Sequence, residues 1–497
     1  MAASSSQFAL ALAAAMALVQ APFLDRPVNY DEANFLTLTR GALADPAAPH
    51  NILINWQGTT ERAFDVLSNP PGIAWFLAAV QHLGGDAIAV QRAAMLIWTL
   101  PTAFGAVWLA ETFSAPREYQ LRAAGLVAMP MVLLSGTALL PDAPLYAMTV
   151  LGIGGVARGV VRGSAVAGWA LVAGAAGLFR YSGVALVPLV LLHAPRRPAL
   201  AWVLAPVALL TLHDLAVYGQ PHILAMGHFQ SVANTPEDWI HKAASAMTFL
   251  GGALVLPIFR WRSAQMLGAV VGAVLAMRFG TGVEALQAAV FGAAGGASFG
   301  AVLEALPRSE DRWLGLWGAG GLAFLLLLRF TAARYWLPFA PAALLLSPYG
   351  GVPSVVASAV LGVALLADDA DSARAVSDLA DRVADSGPPG MFTGHWGWQW
   401  ELERRGWKAL DEGARTPAGS LLAVPTEAWP QAVEGLCVTR IFDGTAVIQP
   451  AWLPRAYSAA GHANLHANWI AGDPQQRTVI PWTFATDRYE AARVCRE

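Results

Sequence analysis

Long apolar runs separated by short charged turns carry this chain from residue 8 to about residue 366, and there the pattern stops. The first run, residues 8–24, holds no charge and is mostly Ala, Leu, Met and Val. Crossing a hydrocarbon core of about 30 Å takes roughly 20 helical residues, so such runs predict membrane-spanning helices. The residues ahead of the first run carry no Lys or Arg, unlike a secretory leader, so it is read as a retained helix, with cleavage as the alternative. Further runs at 90–112, 123–140, 143–160, 165–179, 183–194, 199–217, 243–259, 264–277, 283–303, 313–328, 335–348 and 353–367 bring the expectation to roughly 13 spans. Residues 71–83 are apolar but short for a span, and are predicted to form an interfacial helix within a first outer loop over about 25–89.

Basic residues in short loops set the orientation. Arg117 and Arg122, Arg158 and Arg162, Arg196 and Arg197, Arg260 and Arg262, and Arg308 and Arg312 all fall on the cytoplasmic side if an even number of spans separates each cluster from the next. The loop after the first helix and the C-terminal tail then face outward. Lys242, Arg278, Arg329 and Arg334 lie outside against the rule.

Composition supports the same class. The 497 residues are 56% hydrophobic and 13% charged, with a mean hydropathy of +0.47, which excludes an ordinary soluble enzyme. A net charge of −3 argues against a nucleic-acid partner. The predicted fold is a polytopic α-helical membrane protein, residues 1–367, followed by a small extracytoplasmic α/β domain over 368–497, where polar residues, Pro and Gly become frequent. Cys437 and Cys495 both lie in that tail; they can pair if it is extracytoplasmic, and free thiols are the other option.

Candidate chemistry gathers on the outer side. Asp31 and Glu32 follow the first helix, Asp142 opens a later one, and Arg180, His213-Asp214, Arg329 and Arg334 stand at outer helix ends. Arginines there can hold an anionic lipid phosphate, and a carboxylate can take a proton from an acceptor hydroxyl. Each residue alone has a plainer reading. Asp31 and Glu32 could be solvated loop charges, Asp142 a helix cap with Pro144 in the first turn, and the arginines snorkelling side chains. His213-Asp214 could be no more than a helix end before Tyr218-Gly219-Gln220-Pro221.

The order of motifs adds to this. Tyr30-Asp31-Glu32-Ala33-Asn34, Asn69-Pro70-Pro71-Gly72, Gln91-Arg92, Leu140-Pro141-Asp142-Ala143-Pro144-Leu145, Arg180-Tyr181-Ser182-Gly183 and Arg334-Tyr335-Trp336-Leu337-Pro338 follow one another over residues 8–367. In that order they resemble GT-C superfamily glycosyltransferases of the protein O-mannosyltransferase and lipid A aminoarabinose transferase type. The resemblance implies transfer of a sugar from a polyprenyl-phosphate donor at the periplasmic face of a bacterial inner membrane, without a nucleotide sugar. It implies Asp31 as the catalytic carboxylate and Asp142 as the second acidic position, with Glu32 in support. Arg180, Arg329 and Arg334 would hold the donor phosphate, and Arg62 or Arg40 would stand in for the first-loop basic group. Tyr30, Asn69, His213, Asp214 and Tyr335 would line the pocket. Asn69 departs from the His or Lys that often precedes Pro-Pro in the family.

The expected partners are thus a lipid-linked sugar donor, an envelope lipid, glycan or protein acceptor, and the bilayer. No cofactor is assigned and a divalent metal stays open; His462 and His466 have ligand-like spacing without a third ligand nearby. The aromatic stretch from Phe392 to Trp400, with Trp407, is read as the core of the tail domain, sugar stacking being the alternative. A flippase for lipid-linked sugars would call for polar groups near the bilayer midplane and for inverted repeats, whereas the interiors of the runs are apolar and show no repeat. A non-catalytic glycan-binding scaffold rests on the aromatic tail alone.

Overall fold

A computed structural model describes residues 4–164, 166–194, 197–230, 235–254, 262–347, 351–431, 439–447, 453–458, 462–467, 478–484 and 489–496. Arg196, Arg260 and Cys437 lie outside the described residues. The chain is mostly helical. Among the described residues, Ser5–Phe23, Ile88–Phe113, Asp142–Arg162, Ala199–Tyr218, Gly282–Ala305 and Val352–Ala384 are long and apolar enough to cross a membrane. Shorter apolar helices, Gly72–Gly84, Ala167–Leu178, Tyr181–His193, Ser263–Met277 and Arg312–Leu327, stand beside them. This is the build of a polytopic membrane protein.

Two expected spans are broken, and the breaks matter. The run at 123–140 divides into Tyr119–Ala128 and Pro130–Ser135, because Met129 precedes a proline and takes an extended ψ of 132°. The run at 335–348 becomes a 3-10 turn, Ala333–Trp336, and a short helix, Ala340–Leu346. Pro338 lies between the two and Pro341 at the start of the second, each lacking the N–H that a continuous helix would use. Both segments are buried in protein, the condition under which non-helical backbone is tolerated at membrane depth. They carry Leu139 and Arg334 into the interior.

Elsewhere helices touch backbone to backbone. A Cβ on Gly272 would lie 2.0 Å from the Gly292 carbonyl oxygen, and one on Gly296 2.1 Å from that of Gly268. The four-residue spacing of these glycines lets helices Ser263–Met277 and Gly282–Ala305 close to contact.

Helix Val352–Ala384 runs unbroken through residues 367 and 368, so the expected junction between membrane part and tail falls inside it. Its far half and helix Trp396–Arg404 pack against a mixed five-stranded sheet. The strand order is Lys408–Ala409, Met391–Phe392, Leu421–Pro425, Tyr489–Arg496, Thr439–Val447; the first two pairings are parallel and the last two antiparallel. Phe392, Trp398 and Trp407 are core residues of this layer. Trp400 instead packs toward the first loop, beneath the Arg40 guanidinium at 4.2 Å. Cys495 is disulfide-bonded.

One turn of the long helix joins three parts of the chain. Asp368 and Asp369 are both buried. Asp368 accepts from the Arg455 guanidinium at 2.7 Å and the Ala456 N–H at 2.9 Å. Asp369 accepts from Arg26 and from Asn29 Nδ2, the latter at 2.9 Å.

Backbone contact at the glycines gives a direct test. Gly272→Leu or Gly296→Leu should lower stability by about 1–3 kcal/mol through overpacking. Gly320→Leu, where an added Cβ meets nothing within 4 Å, should be close to neutral. Thermal midpoints in detergent decide between them; equal midpoints for all three would remove the close-contact account.

Candidate active site

The first loop reaches its helix through Tyr30, whose φ of +42° is rare for an aromatic residue and is held by packing. Its ring meets Trp396, Tyr457 and His466 at centroid distances of 5.7, 6.0 and 4.4 Å. Helix Glu32–Ala44 begins directly afterwards, and the adjacent carboxylates diverge. The Asp31 side chain is 21% exposed, that of Glu32 only 2%.

Asp31 accepts a hydrogen bond from Arg334 Nη2 at 2.5 Å. Arg334 belongs to the 3-10 turn created by the proline break. A second ion pair lies alongside. Asp142, fully buried in the first turn of helix Asp142–Arg162, sits 3.2 Å from Arg180 Nε and accepts from Arg180 Nη2 at 3.4 Å. Both guanidiniums face the Tyr335 ring, their central carbons 5.2 Å (Arg180) and 5.7 Å (Arg334) from its centroid. The ring contributes cation–π attraction to each and makes one cluster of two ion pairs.

Burial pushes the Asp31 carboxyl up, but Arg334, then His466 and Arg180, outweigh it and hold it below its ordinary 3.8. Arg334 in turn is lowered by burial and raised further by Asp31, Asp142 and Tyr335. The Asp31–Arg334 pair is therefore ionised.

Glu32 is placed differently. Its oxygens accept from Arg26 Nη2 at 3.0 Å, Arg92 Nη1 and Nη2 at 2.7 and 2.8 Å, and the N–H groups of Asn29 and Leu139 at 2.9 and 3.0 Å. A carboxylate offers about four acceptor sites, so Glu32 is saturated. Burial raises its pKa, and Arg26 and Arg92 together with these hydrogen bonds bring it down to about 2. Glu32 ties residues 26–32 to Leu139, which leads into Asp142.

Arg62 is exposed and forks onto Asp65 at 2.9 and 3.3 Å. Arg329 is exposed, two residues past the end of helix Arg312–Leu327. His213, Asp214 and Asn69 belong to a second group. His213 Nδ1 lies 3.2 Å from Asp214, whose other oxygen accepts from the His222 N–H at 3.2 Å. His222 meets Tyr181 Oη at 2.7 Å and the Phe64 carbonyl at 3.1 Å. Its ring stands 4.5 Å from that of His50, and His50 Nε2 meets the Asn69 backbone carbonyl at 3.0 Å. Tyr181 follows Arg180 and links this group to the ion pairs.

His50, His222, Arg26, Asp369 and the placement of His466 escape sequence reasoning. Arg92 is signalled by the Gln91-Arg92 motif and His466 by its spacing from His462. That spacing is not a shared ligand set, because His462 pairs with Glu284 at 2.8 Å while His466 lies on Tyr30. Among the described residues no three His, Cys, Asp or Glu side chains cluster to hold a metal.

Comparison with solved structures finds ArnT from Cupriavidus metallidurans in the apo state, 15% identical, with 85% of this chain and 93% of that chain covered and a TM-score of 0.46. The same protein bound to undecaprenyl phosphate is 16% identical, with 86% and 94% covered and a TM-score of 0.43. No family model and no curated protein matches the chain. At this low identity neither likeness extends to the chemistry of the site.

The buried groups predict how stability depends on pH. His50 is held at about 3, first by burial and then by His222, and His222 at about 4 by burial, against an ordinary 6.5. Folded, they bind fewer protons than unfolded, so stability should fall as pH drops from 6.5 toward those values. Glu32, at about 2 against 4.5, contributes fully above 4.5 and loses that contribution as pH falls through about 2. Thermal midpoints of Glu32→Gln should lie well below wild type at pH 7, by about 3–5 kcal/mol in stability. The variant should also lack the extra loss below pH 4.5. A wild-type midpoint in the variant would contradict the clamp.

Proposed function

We propose that the chain is a membrane glycosyltransferase that moves a sugar from a polyprenyl-phosphate donor to a hydroxyl of an envelope lipid, glycan or protein, at the outer face of a bacterial inner membrane. The observation that carries this reading is the partly open Asp31 carboxylate, 2.5 Å from the buried Arg334 and joined through Tyr335 to the Arg180–Asp142 pair.

Each guanidinium has five N–H donors, more than its carboxylate uses. The remainder can bind the oxygens of a phosphate diester while its polyprenyl tail lies among apolar helices in the bilayer. As the bond from sugar to phosphate breaks, negative charge grows on the phosphate. Arginines already fixed at that point favour its departure without reorganising. Asp31 supplies an oxygen that accepts a hydrogen bond from the acceptor hydroxyl and aims it at the anomeric carbon. Displacement in one step inverts that carbon. Asp142 holds Arg180 in place, and Glu32 holds the backbone leading to Asp31 and Asp142.

Envelope glycolipids and glycans of cells with and without the protein, compared by mass spectrometry, should differ by a single-sugar increment. Asp31→Asn should insert and fold normally and lose that increment by about 10²-fold or more. Full activity in Asp31→Asn would defeat the assignment.

A further inference from the structure

Resting on the transferase reading, we propose that His466, carried by the C-terminal segment, accepts the proton of the acceptor hydroxyl, with Asp31 orienting the hydroxyl and balancing the imidazolium that forms.

His466 is held by the backbone around it. Asn464 Oδ1 accepts from the N–H groups of His466 at 2.9 Å and Ala467 at 3.2 Å, closing a tight turn. The Leu465 carbonyl accepts from the Ala333 N–H at 3.2 Å, and the Leu465 N–H donates to the Ala456 carbonyl at 2.8 Å. Ala456 is tied in turn to Asp368. The residue before His466 is thus bonded to the residue before Arg334. On its other side the imidazole packs on Tyr30, the residue before Asp31, at 4.4 Å with the rings 38° apart. Backbone and ring contacts together set His466 at the meeting point of the two segments that form the Asp31–Arg334 pair.

The reaction needs such a group. The acceptor oxygen bonds to the anomeric carbon, the bond from that carbon to the phosphate oxygen breaks, and its electron pair stays on the phosphate. A singly charged diester becomes a monoester carrying a second charge, and one proton leaves the hydroxyl. Asp31 is a weak proton acceptor while Arg334 holds it. A neutral imidazole that takes the proton becomes a cation as the second phosphate charge appears, so the net charge of the site is unchanged through the step. An imidazole titrates in the neutral range, suited to this task.

The test uses the full chain. Cells producing wild type, His466→Gln or His466→Phe are compared for the rate of the envelope sugar increment in media from about pH 5 to pH 8. Wild type should show a rate that climbs through the imidazole range. His466→Gln should be slower by about 10²–10³-fold, with that climb gone, and His466→Phe should be equally slow although it keeps the aromatic packing on Tyr30. Either variant working at the wild-type rate with the wild-type pH profile would overturn the role. A wild-type chain that adds no sugar would instead overturn the transferase reading, and this role with it. Independently of activity or of how the His466 variants fold, NMR titration of the His466 ring in purified protein should show its pKa falling in Asp31→Asn. An unchanged value would contradict the pairing.

Discussion

Two adjacent carboxylates buried in one helix, Asp368 and Asp369, are the constraint on which the arrangement of this protein depends. A carboxylate taken out of water must be paired and hydrogen-bonded or it destabilises the fold by several kcal/mol. Neighbouring residues on a helix point in different directions, so these two reach different parts of the chain. Asp368 takes Arg455 and the Ala456 N–H, and from Ala456 the bonds run through Leu465 to Ala333, next to Arg334. Asp369 takes Arg26 and Asn29, from which they run through Glu32 to Arg92 and Leu139. Both halves of the ion-pair cluster are therefore referred to a single helical turn. That is how Asp31 and Arg334, 303 residues apart in sequence, come to lie 2.5 Å from each other.

The same logic divides labour between Asp31 and Glu32. Neighbours in sequence, they differ in environment: five donors consume Glu32, while Asp31 has one strong partner and an open side. A saturated carboxylate orders backbone; a carboxylate with free acceptor capacity can meet a substrate. The cations that stood against the loop-charge rule follow a related pattern. Arg334 is neutralised by Asp31, and Arg278 pairs with Glu237 at 2.7 Å. Lys242 donates to the Leu326 carbonyl at 3.4 Å, near the C-terminal end of a helix where a cation is favoured.

Much of the helical plan was legible in the sequence because span length and apolar content are local properties. The run at 90–112 and the helix Ile88–Phe113 agree closely for that reason. The breaks at Pro130 and Pro338 were less legible: apolar content continues across them, and only the missing N–H groups interrupt the helix. Asp31, Asp142, Arg180 and Arg334 could be picked out as charges beside apolar runs, and the structure brings these four together. The burial of Glu32 could not be read, since nothing local distinguishes it from Asp31. His466 was visible only as half of a spacing with His462; its place against Tyr30, next to Asp31 in sequence, follows from long-range bonds through Asp368 and Ala333.

The proposed seat for a lipid phosphate at the two ion pairs is tested by the affinity of purified protein for undecaprenyl phosphate, read from quenching of tryptophan fluorescence. Arg334→Gln and Arg180→Gln should each weaken binding about tenfold or more, as expected for loss of a charge-assisted hydrogen bond. Asp31→Asn, which frees Arg334 from its competing partner, should bind as tightly as wild type or tighter. Binding unchanged by loss of either arginine, or abolished by Asp31→Asn in a folded protein, would rule out that seat.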